Sequence, residues 1–104
     1  MNIEMKINGG SMEVVLNGRL DSATAPELDK AVMPQLEGIT AVTLDCTDLL
    51  YLSSAGLRVI LSLKKKISAV EGTLCVLNPN EMLMDVFEAT GFVDLLDIRQ
   101  ENGK

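Results

Sequence analysis

The chain has 104 residues, a length that suits a single domain and allows it to bury roughly 60–70% of its unfolded surface. Its formal charge of −6 argues against general binding of nucleic-acid phosphates, which depends on clustered Lys and Arg side chains. Because histidine is absent, a hydrolase that uses imidazole as general base and a zinc site built on imidazole are both excluded.

The distribution of apolar residues predicts a soluble protein. No apolar run approaches the roughly 18 residues that a membrane-spanning helix needs. Residues 3–7 alternate apolar and charged side chains, which is typical of a strand and unlike a signal peptide. We therefore expect a cytoplasmic protein that does not insert into a membrane, and the acidic, aromatic-poor composition suits a module that binds other proteins.

The two cysteines, Cys46 and Cys75, each fall within a predicted strand and are far apart in the sequence. They form neither a Cys-x-x-Cys redox motif nor a set with metal-ligand spacing. We expect buried free thiols, no metal site and no cofactor.

The first elements predicted are two strands joined by a tight turn. Residues 2–8 and 11–18 alternate apolar and polar side chains, and Asn8-Gly9-Gly10-Ser11 between them supplies the positive φ angles of a hairpin. A β-hairpin therefore opens the fold, and its second strand ends at Gly18-Arg19-Leu20-Asp21.

The first helix is predicted to begin at Thr24. Thr24 and Glu27 have the spacing of a capping box, in which the Thr hydroxyl accepts from the N3 amide. Pro34 cannot donate a hydrogen bond and crowds the preceding turn, so we expect a kink or an early end there, with Gly38 as terminator. The apolar residues of this segment lie on one side of the helix: Leu28, Ala31, Val32 and Leu36.

Residues 39–46 are β-branched and almost continuously apolar, which indicates a central strand. Asp45 is its exception, and this carboxylate either faces solvent or braces the following loop. The apolar residues 49–52 are interpreted as a loop that enters a second helix over roughly 55–70. The apolar residues of that helix recur with a period near 3.6.

Two adjacent hydroxyls, Ser53 and Ser54, interrupt the apolar sequence where the second helix begins. The simpler interpretation is an N-cap, the position for which Ser is among the preferred residues. The functional interpretation is a modification site, because the amides and dipole of a helix N-terminus favour a phosphate. Both hydroxyls would emerge at the C-terminal end of the central strand, where open α/β sheets commonly carry their sites.

Polar residues follow one side of the same helix. Arg58, Ser62 and Lys65 recur opposite the apolar face, with Lys64 and Lys66 beside them. Such a row is either a solvated face or, as local positive charge on an acidic protein, a contact for a partner.

The remaining segments predict a strand over 72–77, a third helix and a final strand over 92–98. Asn78 is the expected cap of the helix, with Pro79 at the first helical position, and Thr90-Gly91 its expected end. Residues 99–104 are polar and expected to be frayed. These local signals predict an α/β or α+β domain with a mixed sheet and the order β-β-α-β-α-β-α-β.

The segment Leu52-Ser53-Ser54-Ala55-Gly56-Leu57, preceded by Asp45-Cys46-Thr47-Asp48-Leu49, resembles the phosphorylation segment of STAS domains, especially the bacterial anti-sigma factor antagonists. The run Gly18-Arg19-Leu20-Asp21 is similar to the Gly-x-Leu-Asp pattern of that family. The resemblance extends from the hairpin through the third helix. It implies one STAS domain over 1–104, with an ordered core of about 2–98 and a polar tail over 99–104.

The resemblance assigns roles residue by residue. The serine that is phosphorylated in the family falls on Ser54, and many relatives carry Asp where this chain has Ser53, so Ser53 is an alternative acceptor. The residue at the position of Asp21 belongs to the surface met by the kinase, although on chemistry alone Asp21 could be a solvated loop carboxylate. The residues expected to contact the partner are Asp21, Ser22, Thr24, Ser53, Ser54, Ala55, Gly56 and Arg58.

The function implied by the resemblance is regulatory and not enzymatic. The unphosphorylated protein would bind an anti-sigma factor that is also a serine kinase and thereby release a sigma factor, and phosphorylation of Ser54 would end that binding. A serine phosphatase would reverse the modification, and ATP would be the ligand of the kinase. The alternative is a non-catalytic STAS subunit of a membrane lipid ABC transporter that docks on its ATPase.

Overall fold

The computed structural model describes residues 1–101 and contains five strands, three α-helices and two short 3₁₀ turns. The strands are β1 (Asn2–Asn8), β2 (Ser11–Leu20), β3 (Ala41–Leu52), β4 (Thr73–Leu77) and β5 (Asp97–Arg99). The helices are α1 (Ala25–Val32), α2 (Ser54–Ala69) and α3 (Glu81–Thr90), and the 3₁₀ turns span Met33–Gln35 and Phe92–Asp94.

The strands form one mixed sheet in the order β1-β2-β3-β4-β5. The β1 and β2 strands are antiparallel, and each later strand is parallel to its neighbour. The prediction of a mixed sheet opened by a hairpin, with the order β-β-α-β-α-β-α-β, is confirmed. Gly9 has a φ of +62°, as the first central residue of a two-residue type II′ turn requires.

The helices cover one face of the sheet, because each crossover between neighbouring parallel strands runs in the same direction and such crossovers are right-handed. The burial pattern of the strands agrees with helices on one face of the sheet. Alternate residues of β2 and β3 are fully buried: Met12, Val14, Leu16, Val42, Leu44 and Cys46. The core among residues 1–101 is apolar throughout, and no polar or charged side chain is buried in it.

The start of α1 differs from the prediction. Thr24 is the N-cap residue, but its side chain makes no capping hydrogen bond, so the predicted capping box with Glu27 is wrong. The Thr24 hydroxyl instead donates to the carbonyl of Arg19 in β2 at 2.7 Å and accepts from the Asp21 amide in the loop that follows. The early end expected at Pro34 is confirmed, since α1 stops at Val32 and a 3₁₀ turn follows.

The β3 strand is longer than predicted. Residues 49–52, interpreted from sequence as a loop, continue the strand, which pairs with β2 up to Leu20 and Leu52. The pairing is irregular at two places, between Val15 and Asn17 and between Gly18 and Arg19. Gly18 has a φ of +115°, a conformation that glycine adopts readily, and it lets the two strands stay paired through the irregularity.

Asp45 bonds to the residue two positions further on, but Thr47 belongs to β3 and not to the loop that Asp45 was predicted to brace. Its Oδ1 accepts from the Thr47 hydroxyl at 2.6 Å and from the Thr47 amide at 3.1 Å. The Thr47 hydroxyl in turn accepts from the side-chain amide of Asn78 at 3.0 Å. The bond from Asn78 joins β3 to the segment that follows β4.

The predicted cap of α3 is wrong by two residues. Asn80, not Asn78, caps the helix, and its Oδ1 accepts from the Leu83 amide at 2.8 Å. Asn78 has a φ of +57°, which is incompatible with the extended backbone of an N-cap residue. The predicted end is confirmed, because Gly91 terminates α3 with a left-handed φ of +81°.

The C-terminal segment is less extended than predicted. Phe92–Asp94 forms a 3₁₀ turn, so the strand expected over 92–98 is confined to Asp97–Arg99. Two residues of the tail that was expected to be frayed make hydrogen bonds to the segment after β4. Gln100 donates to the Pro79 carbonyl at 2.8 Å, and the Glu101 amide donates to the side chain of Asn78 at 2.6 Å. Residues 102–104 of the predicted tail lie outside the described residues.

None of the helices within residues 1–101 combines the length and the apolar character needed to cross a membrane.

The two cysteines are free thiols in different surroundings. Cys46 is buried, as predicted, whereas Cys75 is only half-buried. Burial, helped by the nearby charge of Asp45, raises the pKa of Cys46 to about 12. Burial and the nearby Asp97 also raise the pKa of Cys75.

We expect an aromatic disulfide reagent to modify only Cys75 in the native protein near neutral pH, because the thiolate is the reactive form and Cys46 carries almost none. The rate at Cys75 should rise with pH, because a larger fraction of the thiol is then ionised. Its raised pKa moves this rise to higher pH than for an ordinary thiol. Absorbance of the released thiol measures the number of reacting groups. Cys75→Ser should abolish the native reaction, and denaturant should restore one thiol in that variant. Two reacting thiols in the native wild type would contradict the buried position of Cys46.

Candidate functional site

A single residue separates β3 from α2. Ser53 has extended backbone angles and is the N-cap of α2, with its Oγ accepting from the Gly56 amide at 3.4 Å. Its carbonyl accepts from the Leu57 amide at 3.0 Å. Ser54 is the first residue of the helix, and its side chain is exposed. The two hydroxyls therefore have different surroundings, with Ser53 serving the helix and Ser54 facing solvent.

The start of α2 is fixed against the end of β2. The Ser53 amide donates to the Leu20 carbonyl at 2.9 Å. Gly56 is buried and leaves no room for a side chain, since a Cβ atom there would lie 2.7 Å from Leu20 Cγ and 2.8 Å from Leu52 Cδ1. The absence of a side chain at Gly56 thus lets the helix approach the ends of both strands.

The loop after β2 is held by hydrogen bonds around Asp21. Oδ1 of Asp21 accepts from the amides of Ala23 at 3.0 Å and Thr24 at 3.1 Å. The Asp21 amide donates to the Thr24 hydroxyl at 2.9 Å, and the Asp21 carbonyl accepts from the Ala25 amide at 2.8 Å. Asp21 therefore shapes its own loop as well as carrying charge.

The pKa of Asp21 is held below its usual value, chiefly by the hydrogen bond from the Thr24 amide and further by the Ala23 amide, the Thr24 hydroxyl and the positive charge of Arg19. Its carboxylate is consequently ionised at neutral pH. Because Asp21 follows Leu20, this negative charge is anchored beside the residue to which the Ser53 amide donates.

A shallow groove of about 350 Å³ runs between α1 and α2 next to the two serines. It is lined by residues from the α1 side, Ser22, Ala25, Pro26 and Asp29, and from α2, Ala55, Arg58, Val59 and Ser62. Alanine, proline and valine give it an apolar part, and the lining also carries one charge of each sign. Apolar area beside polar and charged groups occurs at protein interfaces as well as on the rest of a protein surface.

The structure brings together three of the predicted contact residues, Ser22, Ala55 and Arg58, in this groove. Asp21 and Thr24 form the loop that leads into it, and Ser53 and Ser54 begin the helix that forms its other side. Gly56 differs from the rest because it is buried, so its part in the site is to position α2. Arg58 and Lys65 are exposed, and Arg58 alone of the basic residues on α2 lines the groove.

The sequence did not point to several residues of this region. Pro26, Asp29 and Val59 line the groove, and the Arg19 guanidinium lies 4.2 Å from the centre of the Tyr51 ring. Arg19 and Tyr51 are paired across β2 and β3. An arginine over an aromatic ring is a recognised favourable contact, but it becomes visible only once the register of the two strands is known.

No group of three His, Cys, Asp or Glu side chains within residues 1–101 is arranged to hold a metal ion. The site itself offers an exposed hydroxyl at a helix N-terminus, a carboxylate fixed by hydrogen bonds and a mixed groove.

The STAS domain family model matches residues 2–103, and the chain belongs to that family. A Bordetella bronchiseptica protein named as a candidate anti-sigma factor antagonist, BtrV, is 36% identical over 101 residues, covering 94% of this chain and 85% of that protein. The anti-sigma-B factor antagonist of Bacillus subtilis is 30% identical over 98 residues, covering 94% of this chain and 90% of its own.

The fold is also that of the anti-sigma factor antagonist SpoIIAA. Its unphosphorylated form has a TM-score of 0.85 at 18% identity, covering 97% of this chain and 90% of that one. Its phosphorylated form, described as a Bacillus cell fate determinant, has a TM-score of 0.76 at the same 18% identity. At this identity the likeness concerns the fold, and the predicted STAS fold is confirmed. The named relatives favour the anti-sigma interpretation over a transporter subunit.

We expect Gly56→Ala to lower the free energy of unfolding by about 1–2 kcal/mol. Overpacking against Leu20 and Leu52 costs about 1–3 kcal/mol, and the better helix propensity of alanine returns up to about 1 kcal/mol. Urea unfolding followed by circular dichroism measures the change. Ser68→Ala, at an exposed position of the same helix, is the matched control and should be close to neutral. An unchanged Gly56→Ala variant would mean that α2 does not need this close approach.

Proposed function

We propose that this protein is an anti-sigma factor antagonist that acts in the cytoplasm and is switched by phosphorylation of Ser54. In its unphosphorylated form it binds an anti-sigma factor, which releases the sigma factor that this partner held. Membership of the STAS family and the names of relatives at 36% and 30% identity support the proposal. The protein is a regulatory subunit and catalyses no reaction of its own.

The observation that supports the proposal most directly is that the two serines have different structural roles. Ser53 supplies the capping oxygen of α2, while Ser54 is exposed at the first helical position. A phosphoryl group on Ser54 therefore leaves the cap in place. The unpaired amides and the positive dipole end of the helix also favour the added negative charge. The modification can alter the surface without destabilising the fold.

The partner surface that we propose consists of the Asp21 loop, the start of α2 and the groove between α1 and α2. The residues that contribute are Asp21, Ser22, Thr24, Ser53, Ser54, Ala55, Gly56 and Arg58, with Gly56 acting through the position of the helix. Phosphorylation adds about −1.5 to −2 charges next to the ionised Asp21. A partner matched to the unmodified surface then meets excess negative charge and loses affinity.

The partner that best fits this arrangement is an anti-sigma factor that is also a serine kinase, since one surface then serves both binding and modification. Its ATP supplies the phosphoryl group, so no cofactor is needed on the present chain. A serine phosphatase returns the protein to its binding form. The structures of SpoIIAA with and without phosphate are consistent with a fold that accepts the modification.

We expect incubation with the cognate kinase and ATP to add one phosphate to the wild type and none to Ser54→Ala. Ser53→Ala should still be phosphorylated, because its loss removes a cap and not the acceptor. Intact-mass and peptide mass spectrometry measure both the number of phosphates and their position. A phosphate that persists in Ser54→Ala but disappears in Ser53→Ala would assign the acceptor to Ser53 instead.

We expect Ser54→Asp to weaken binding of the kinase at least about tenfold, because it places a fixed charge at the interface. The free energy of unfolding should change by less than about 1 kcal/mol, since an acidic residue suits a helix N-terminus. Isothermal titration calorimetry and thermal unfolding measure the two effects. Ser54→Ala and Ser68→Asp are the controls for side-chain loss and for charge elsewhere on α2, and both should bind. Equal affinity of Ser54→Asp and wild type would eliminate the electrostatic switch.

A further inference from the structure

The β1 strand is a free edge of the sheet. It pairs with β2 over its whole length, from Asn2 with Asn17 to Asn8 with Ser11, and no bulge interrupts the pairing. The opposite edge, β5, has only three residues. Long, regular edge strands expose unpaired backbone groups to other chains, and proteins usually protect them with bulges, prolines, shortness or charged side chains, lysine especially. In the described residues β1 has no bulge or proline and is seven residues long, and its charged side chains are one of each sign, Glu4 and Lys6.

The apolar side chains of β1 extend the core beyond the helices. Ile3, Met5 and Ile7 pair across the hairpin with buried residues of β2, so they lie on the face of the sheet that the helices cover. The burial of these side chains decreases from Ile3 to Ile7. Ile3 is half-buried, Met5 is 37% exposed and Ile7 is 50% exposed. A row of apolar side chains therefore remains open beside a free edge.

The alternation of the hairpin fixes which backbone groups face outward. Asn8 and Ser11 flank a two-residue turn, and the pair that closes such a turn exchanges both backbone hydrogen bonds. The backbone groups of the even-numbered residues of β1 therefore point to β2. Those of Ile3, Met5 and Ile7 point to the open edge and can accept another strand.

The sequence of β1 is self-complementary about Met5. It reads Asn-Ile-Glu-Met-Lys-Ile-Asn, so antiparallel pairing with a second copy places Asn opposite Asn, Ile opposite Ile and Glu opposite Lys. Met5 would lie on the two-fold axis, as the symmetry of an isologous contact requires. Met5 is also one of the residues whose backbone faces outward, so the axis coincides with a hydrogen-bonded pair.

We propose that β1 is a homodimerisation edge, at which a second copy of this chain adds its own β1 in antiparallel register centred on Met5. The two five-stranded sheets then form one continuous sheet. Three pairs of residues exchange backbone hydrogen bonds, namely Met5 with its symmetry mate and Ile3 with Ile7 on either side. Glu4 of each copy faces Lys6 of the other, which gives two ion pairs on the exposed face of the sheet.

The charge pattern favours a second copy as the occupant of this edge. Glu4 and Lys6 are both exposed, and within the hairpin Glu4 lies opposite the uncharged Val15 while Lys6 lies opposite Glu13. A second copy of β1 in the centred register places a lysine opposite Glu4 and a glutamate opposite Lys6. The charge of −6 on each copy opposes association, and a single strand pair buries less area than a stable dimer needs. The dimer should therefore be weak and depend on concentration, with a dissociation constant between about 1 μM and 1 mM.

Sedimentation equilibrium over this concentration range tests the proposal with charge variants of exposed residues. Glu4→Lys or Lys6→Glu alone replaces both ion pairs by like-charge contacts and should weaken the dimer at least about tenfold. The double variant Glu4→Lys, Lys6→Glu restores opposite charges across the dimer and should dimerise more tightly than either single variant. It should stay weaker than the wild type, because the new carboxylate at position 6 lies opposite Glu13 of its own hairpin. An equimolar mixture of the two single variants should form a heterodimer, because one carries two lysines and the other two glutamates at these positions.

Amide hydrogen exchange provides a second measurement on the wild type. The amides of Met5 and Ile7 should become protected as concentration rises, whereas those of Glu4 and Lys6 should be protected at every concentration by β2. A wild type that stays monomeric up to about 1 mM would overturn the proposal. It would also be overturned if the single charge variants dimerised as tightly as the wild type, or if their mixture formed no heterodimer.

Discussion

The hydrogen bond from the Ser53 amide to the Leu20 carbonyl determines the arrangement of the site. This bond is 2.9 Å long and joins Ser53, the single residue between β3 and α2, to Leu20, the last residue of β2. Gly56 then allows α2 to pack on Leu20 itself. Because Asp21 follows Leu20 and Ser54 follows Ser53, both loops of the proposed partner surface are positioned from this one point. The groove between α1 and α2 opens directly beside it.

Much of this arrangement could be predicted because its signals are local. The Gly9-Gly10 turn, the buried side of α2 and the break at Pro34 depend on residues close to one another in the sequence. The structure agrees with each, except that Val70 at the end of α2 is exposed. The two serines were also found at the start of α2. The family resemblance supplied what local chemistry could not, namely the expectation that Ser54 is modified.

The sequence-based predictions are wrong where a residue has several possible hydrogen-bond or strand partners that are distant in the sequence, or where two residues suit the same role equally well. Residues 49–52 form a strand because β2 extends far enough to pair with them. Thr24 could cap α1, but its hydroxyl is taken by the Arg19 carbonyl and the Asp21 amide. Asn78 and Asn80 are equally good caps by composition, and the positive φ of Asn78 decides between them. Pairing of Arg19 with Tyr51 likewise requires the register.

The one-residue connection between β3 and α2 has a consequence for the timing of the proposed switch. A connection of one residue, with its amide and carbonyl both hydrogen-bonded, cannot change its backbone conformation without breaking those bonds when Ser54 is phosphorylated. The modified and unmodified proteins would then share one backbone, and no slow rearrangement would separate them. The response would follow the fraction of modified molecules in real time, limited by the modifying enzymes and by dissociation of the partner.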